Sequence, residues 1–289
     1  MYPPRFEYAV AETLEEALAA LERDGDEIKP LAGGQSLIPL MKLRFAAPAK
    51  LLDINRIGGL DGLAAQDGQL RIGALVRHKA CERSELLRGR FGVLGDAAKV
   101  ISDPIVRNLG TVAGSLAHAD PAGDWGSVML ATRAELVASS AKGERTIPID
   151  EFFQAPFTTS LEPGELLTEV RIPDPGPHAG GTYLKLERKV GDFATAAVAV
   201  HVTFSNGSVE QAGIALTAVG GTNLRAAAAE QALAGRPLDD EAIAEASRLA
   251  AQAAEPIADV RGGVEFKRDI VRVLTARGLR RAAEVARAA

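Results

Sequence analysis

Apolar positions recur along this chain at two spacings, and the alternation between them predicts its elements. After Pro3-Pro4, residues 6–10 read as a short extended piece. Thr13 then precedes Glu16 by three residues, ahead of Ala17, Leu18 and Leu21 at helical spacing, which predicts a capped helix ending near Gly25. Residues 28–32 read as a brief strand leading into Gly33-Gly34. Ser36 can then cap a helical turn through Leu37, Ile38, Leu40 and Met41, where Pro39 is tolerated because it lies in the first turn. Residues 50–54 and 70–74 read as strands, the second after the Asp67-Gly68 turn. Part of 86–100 is predicted helical and broken by Asp103-Pro104, a further helix resumes over 124–131, and 134–138 with 145–149 reads as a hairpin pair. Residues 166–172 form a strand closed by Pro173.

The densest run of structure breakers, Asp174 through Gly181, places a domain boundary there, giving lobes of 1–176 and 177–289. Beyond it, 182–188 is one strand, and Ala196, Val198, Val200, Val202 and Phe204 alternate as a second. Ser205-Asn206-Gly207-Ser208 reads as a hairpin turn, and 209–219 returns as a third strand. Two amphipathic helices follow, one opening at Asp239 and one carrying Ile270, Val273, Leu274 and Arg277 on a single face. The second lobe is therefore a small antiparallel sheet covered by helices. In the first, strands and helices alternate without the regular spacing of parallel βαβ units, so the fold class is α+β.

Composition narrows the function. A chain of 289 residues with 47% hydrophobic content can fill two cores, and a net charge of −5 does not supply the concentrated basic face that a nucleic-acid partner needs. The single cysteine, Cys81, excludes an intrachain disulfide, a thiolate zinc set or an iron–sulfur cluster built by this chain alone. The N-terminus lacks a signal-peptide core, and no run of about 18 uncharged apolar residues is present, so a soluble cytoplasmic protein is expected.

Candidate chemistry sits in two small-residue stretches: Ala32, Gly33, Gly34, Gln35 and Ser36, and Thr111, Val112, Ala113, Gly114 and Ser115. Each alone reads as a turn. Repetition of the same design, small residues ending in a serine with apolar flanks, points to backbone amides and hydroxyls cradling a diphosphate, and a flavin nucleotide is the ligand it suggests. Neither stretch has Gly-x-Gly-x-x-Gly spacing or a following Lys-Ser/Thr, so the two common nucleotide signatures are absent. Lys29, Lys42 and Arg44 flank the first stretch, as screening charges or as solvated surface groups. His118, Asp120 and Asp124 match no standard zinc spacing, so no metal site is expected. Asp124 reads equally as a helix N-cap and as an acceptor from a ligand hydroxyl or ring N–H, since a carboxylate beside a diphosphate is repelled. In the run from Tyr183 to Phe193, a strand end and turn compete with a lip over a planar ring, Phe193 stacking and Lys185 supplying positive charge. Four scattered histidines assemble no nucleophile set, and no catalytic residue is assigned.

Four segments in order carry a resemblance: Leu31-Ala32-Gly33-Gly34-Gln35-Ser36-Leu37-Ile38-Pro39-Leu40-Met41-Lys42-Leu43-Arg44, Val106-Arg107-Asn108-Leu109-Gly110-Thr111-Val112-Ala113-Gly114-Ser115, His118-Ala119-Asp120-Pro121, and Tyr183-x-Lys185 ahead of Gly191-Asp192-Phe193-Ala194. The sequence resembles, over essentially its whole length, the medium, flavin-carrying subunit of the molybdenum hydroxylases, the aerobic carbon monoxide dehydrogenase and xanthine dehydrogenase family. The resemblance implies a two-part FAD-binding domain of the p-cresol methylhydroxylase kind followed by a smaller sheet-and-helix domain. It implies that Ala32 to Ser36, with Leu37, and Thr111 to Ser115 hold the FAD diphosphate, that His118 and Asp124 lie along the nucleotide, that Leu167 packs by it, and that Lys185 and Phe193 approach the flavin. Ala113 stands where the family's commoner form has glycine, and Phe193 where a tyrosine often lies.

The resemblance further implies an electron-transferring FAD subunit of a heterotrimer, carbon monoxide dehydrogenase-like and assembled as a dimer of heterotrimers. [2Fe–2S] clusters on a small iron–sulfur subunit and a molybdenum cofactor on a large molybdenum subunit would feed it, with quinone, NAD or oxygen as final acceptor. Two other readings stand beside it: a self-sufficient FAD-dependent reductase of the same fold, and a flavin-free nucleotide-binding scaffold.

Overall fold

The computed structural model describes residues 2–288. Its first lobe has two parts. Strands Glu7–Val10, Lys50–Asp53 and Ile28–Leu31 lie side by side in that order, all parallel. The first crossover is the predicted helix, Leu14–Asp24. The Thr13 hydroxyl accepts from the Glu16 amide at 3.2 Å, the Glu16 carboxylate accepts from the Glu12 amide at 2.9 Å, and Gly25 at φ +54° ends the helix. Its buried face, Ala17, Leu18, Ala20 and Leu21, packs on Ile28, Leu52 and Ile54. Each buried leucine contributes about 2 kcal/mol.

The second part is a five-stranded antiparallel sheet ordered Leu63–Gln66, Gln69–Gly73, Leu166–Pro173, Glu135–Ser140, Gly143–Pro148. Helices Gly92–Val100, Val112–His118 and Asp124–Ala131 share its core, in which Trp125, Phe91 and Phe152 are fully buried among Leu70, Ile72, Leu136 and Val170.

The second lobe is a four-stranded antiparallel sheet, Ala179–Glu187, Ala194–Ser205, Ser208–Thr217 and Leu224–Arg225. Its central strand shows how residue size sorts the two faces. Val198, Val200 and Val202 point into a core closed by the helices Ala227–Leu233, Asp240–Ala253 and Val264–Ala288, while Ala197 and Ala199 join the core of the first lobe. The small face lets the lobes approach closely. A Cβ on Gly213 would overlap the backbone of Ala131, whose carbonyl carbon would lie 2.7 Å away. Asn206 and Gly207, at φ +51° and +81°, make the tight hairpin turn read from the sequence.

The α+β class stands, with local differences. The first three strands are parallel, because their crossovers are a helix of 11 residues and a glycine loop with a helix of 7 rather than evenly spaced units. Strand Leu63–Gln66 is mostly exposed and offers little apolar signal. Pro104 starts a helix, Pro104–Leu109, instead of only breaking one: Asp103 caps it by accepting from the Val106 amide at 2.9 Å, and proline fits the first helical position. Gly180 and Gly181 lie inside strand Ala179–Glu187, where a Cβ on Gly180 would sit 2.6 Å from the Ala286 nitrogen. Among the described residues no helix is long and apolar enough to cross a membrane.

Gly213→Ala is expected to destabilise the chain by about 3 kcal/mol, read as a shift of the urea midpoint at unchanged slope. A variant as stable as the wild type would mean that the seam between the lobes yields freely.

Candidate functional site

Loop one begins where strand Ile28–Leu31 ends. Gly34 takes φ +68°, a conformation glycine adopts without strain. The Gln35 side-chain amide donates back to the Gly33 carbonyl at 3.1 Å. Ile38 and Leu40 donate to the carbonyls of Gly34 and Ser36, starting helix Leu37–Leu43. Among the described residues no acceptor takes the amide N–H groups of Gly33, Gly34, Gln35, Ser36 or Leu37, and the Ser36 hydroxyl forms no cap bond, which leaves these donors for a ligand. Ala32 through Leu37 are all half-buried.

The second loop is built differently. The Thr111 hydroxyl accepts from the Gly114 amide at 3.1 Å, so Thr111 is a buried N-cap of helix Val112–His118. Val112 and Ala113 turn their side chains into the core, so the Ala113 methyl is directed away from the open side of the loop. Gly114 and Ser115 face outward, exposed and half-buried respectively. Leu167 is buried in the same core as Val112 and Leu116. At seven residues each, the two helices have small dipoles, so the individual N–H and O–H donors carry any attraction for an anion.

These loops meet. A Cβ on Gly33 would lie 2.7 Å from Gly110 Cα and 2.9 Å from the Leu109 carbonyl carbon, so glycine permits direct backbone contact between them. From there helix Pro104–Leu109 leads back to residues 101–103, on which the second lobe is seated. Gly191 packs against Ser102, Lys185 donates to the Val100 carbonyl at 3.1 Å, and Arg107 donates to the carbonyls of Ile101 and Ser102. Phe193, two residues beyond Gly191, is 53% exposed. Helix Pro104–Leu109 and residues 101–103 thus connect the two loops to the Lys185–Phe193 segment of the second lobe.

Asp124 is not the helix cap; Gly123 is, and Asp124 occupies the first helical position. Its carboxylate accepts from the Tyr183 hydroxyl at 2.6 Å and from Lys185 Nζ at 3.1 Å. The Lys185 side chain is 2% exposed, so the two groups address each other across the seam. Burial pushes the Asp124 carboxyl up, against the pull of the Lys185 ammonium and the Tyr183 hydroxyl. His118 is half-buried with its ring 5.3 Å from that of Phe157, and burial lowers its pKa. Among the described residues no group of three or more His, Cys, Asp or Glu side chains is placed to hold a metal. Cys81 is buried and its thiol pKa pushed up to about 12, which makes it unreactive.

Reading by motif passed over three residues that structure this site: Asn55, Arg77 and His78, none of which lies in a glycine stretch. The one available signal was position, since Asn55 follows a strand and Arg77-His78 follows another.

Comparison with known proteins gives two family matches. Residues 4–175 match the FAD binding domain in molybdopterin dehydrogenase, and residues 181–282 match the CO dehydrogenase flavoprotein C-terminal domain. The chain is 41% identical over 267 residues to the carbon monoxide dehydrogenase medium chain of Hydrogenophaga pseudoflava, covering 92% of this chain and 93% of that one. It is 38% identical over 288 residues to the 6-hydroxypseudooxynicotine dehydrogenase complex subunit alpha of Paenarthrobacter nicotinovorans, covering 99% and 97%. Among solved structures, carbon monoxide dehydrogenase from Hydrogenophaga pseudoflava superposes with a TM-score of 0.95 at 42% identity, covering 99% of each chain. Quinoline 2-oxidoreductase from Pseudomonas putida 86 gives 0.91 at 30% identity, again covering 99% of each.

The buried ring of His78 supports the second loop. Its Nδ1 accepts from Trp125 Nε1 at 3.0 Å, its backbone amide donates to the Gly110 carbonyl at 3.0 Å, and its Nε2 lies 2.6 Å from where a Gly110 Cβ would stand. Burial, reinforced by Arg77 and Arg107, lowers its pKa from 6.5 to about 4. The folded chain refuses a proton that the unfolded chain accepts, so stability falls as pH drops from 6.5 towards 4, by about 3 kcal/mol for this group. Because the lowered pKa of buried His201 adds to the same slope, the measurement is a difference. Urea unfolding across that window should show a shallower loss for His78→Gln than for the wild type, and parallel curves would contradict the assignment.

Proposed function

This chain belongs to the family of FAD-binding, CO dehydrogenase-type flavoprotein subunits of the molybdopterin dehydrogenases, and from that premise we propose that it is the FAD-carrying electron-transfer subunit of a heterotrimeric molybdenum hydroxylase, carbon monoxide dehydrogenase-like. The observation that carries the reading is the run of uncommitted amides from Gly33 to Leu37, seated by Gly33 on the backbone of the second loop. Hydrogen bonds to a charged group contribute about 2 kcal/mol each, so four or five such donors suit a diphosphate. Gly33, Gly34, Gln35 and Ser36, with the amide of Leu37, would hold the diphosphate, with the Ser115 hydroxyl opposite and Gly114, whose own amide is taken by Thr111, leaving room for it. Thr111, Val112 and Ala113 fix the second loop from below, and Leu167 supports them.

Across the seam, with the lobes divided at 1–176 and 177–289, residues from both would flank the ring end of FAD. Phe193 would stack on the flavin, Lys185, held by Asp124, would supply positive charge on that side, and His118 would lie along the nucleotide. The chemistry supplied by FAD when bound is collection of single electrons and release of pairs. On this reading [2Fe–2S] clusters on a small partner chain and a molybdenum cofactor on a large one, in a dimer of heterotrimers, would be the electron source, and quinone, NAD or oxygen the acceptor. One cysteine on this chain fits that division of labour. Similar proteins are named for carbon monoxide, 6-hydroxypseudooxynicotine and quinoline. Three such different compounds beside one flavoprotein fold favour substrate selection on another polypeptide.

Purification of the tagged chain with its co-expressed partner subunits should yield one FAD per copy, visible in the absorption spectrum, together with a cluster-bearing and a molybdenum-bearing chain. A colourless chain that cannot be reconstituted with FAD would overturn the proposal in favour of a scaffold, and a flavoprotein that captures neither partner yet oxidises a reductant unaided would overturn it in favour of a self-sufficient reductase. Gly33→Ala separates the loops and is expected to weaken FAD binding about thousandfold, the equivalent of losing two charge-assisted hydrogen bonds, in a fluorescence titration. Wild-type affinity in that variant would contradict the role given to the contact.

A further inference from the structure

The first glycine loop and the residues that lead into the second are tied together by a pair of side chains, Asn55 and Arg77. Asn55 Nδ2 donates to Asp53 Oδ1 at 2.6 Å and to the Ala32 carbonyl at 2.9 Å, a bond shared with the Leu31 carbonyl at 3.3 Å, and Asn55 Oδ1 accepts from Arg77 at 2.5 Å. The other nitrogen of the Arg77 fork donates to the carbonyl of Leu109. Asp53 in turn accepts from the Asn55 amide at 2.8 Å and from the Tyr8 hydroxyl at 2.5 Å. Burial opposes ionisation of Asp53, but the hydrogen bonds from Tyr8 and Asn55 hold its carboxyl below the usual range, so it stays an acceptor.

We propose that Asn55 and Arg77 are positioning residues for the diphosphate cradle: through the carbonyls of Ala32 and Leu109 they fix the direction of the loop amides and the distance between the loops. The peptide plane carries the reasoning. In a trans peptide the C=O of one residue and the N–H of the next point in opposite directions. Holding the Ala32 carbonyl against Asn55 therefore turns the Gly33 N–H to the opposite side. Gln35, by donating to the Gly33 carbonyl, does the same for the Gly34 N–H. Arg77 sets the second coordinate, because the carbonyl it holds belongs to Leu109, the residue on which Gly33 is seated. A guanidinium spans two oxygens in fixed geometry, and a lysine at this place reaches one. Neither residue lies in the glycine stretches, and neither needs to touch FAD to govern its binding.

This inference rests on the proposed FAD site, and the test separates the two. The full-length chain, with its co-expressed partners, is titrated with FAD and with riboflavin, which has the ring but no diphosphate. A residue that orients the diphosphate donors controls the ratio of the two affinities; one that merely stabilises the lobe changes both together. Asn55→Ala is expected to lower the FAD-to-riboflavin affinity ratio about tenfold. Should that variant fail to fold, Arg77→Lys, which keeps the charge and loses the fork, is expected to lower the ratio in the same sense by a smaller factor. A ratio equal to the wild type's, whether both affinities fall or neither does, overturns the positioning role and leaves the FAD site standing. A wild-type chain that binds no FAD overturns the functional proposal instead.

Discussion

The candidate site depends on a backbone contact made possible by a missing Cβ. Gly33 rests on Leu109 and Gly110, residues some seventy-five positions away, and any side chain there would drive the two loops apart. The juxtaposition of the two loops follows from that approach. The amides of 33–37 remain without internal acceptors because the chain between strand and helix is too tightly turned to satisfy them itself. In water such groups are solvated at no great cost. Against a diphosphate they become directed donors that need no reorganisation.

The same device recurs where the lobes join. Gly213 against Ala131 and the alanine face of strand Ala194–Ser205 bring the second lobe's sheet close enough to share the first lobe's core. Across that seam Lys185, Asp124 and Tyr183 form a buried polar cluster extended by Thr217, Ser127 and Asn223. A buried ion pair gives little net stability after desolvation, but its geometric demands fix the register of the elements that carry it. The pair between Lys185 and Asp124 thus aligns helix Asp124–Ala131 with strand Ala179–Glu187. That alignment sets where Gly191 and Phe193 emerge relative to residues 101–103.

Much of this was legible in the sequence where local rules act alone. The Thr13 cap, the Asn206-Gly207 hairpin, helix Asp124–Ala131 and the alternation from Ala196 to Phe204 all depend on neighbours within a few residues. The parallel pairing of the first three strands was not legible, since register between strands separated by a helix or a glycine loop is a tertiary choice. Thr111 illustrates a subtler gap. Its residue type suits both a ligand donor and an N-cap, and only the fold shows its oxygen accepting from Gly114. Asn55 and Arg77 escaped motif reading because their partners are backbone carbonyls, which carry no sequence signature.

Amide hydrogen exchange resolved to single residues tests the central claim most directly, by comparing the flavin-free chain with the FAD-loaded one. Loading should slow the amides of Gly33, Gly34, Gln35, Ser36 and Leu37 together, by about tenfold or more, as hydrogen bonds worth over 1 kcal/mol require. FAD bound with those five amides exchanging as before, and protection gathered elsewhere, would show that the diphosphate lies in another place.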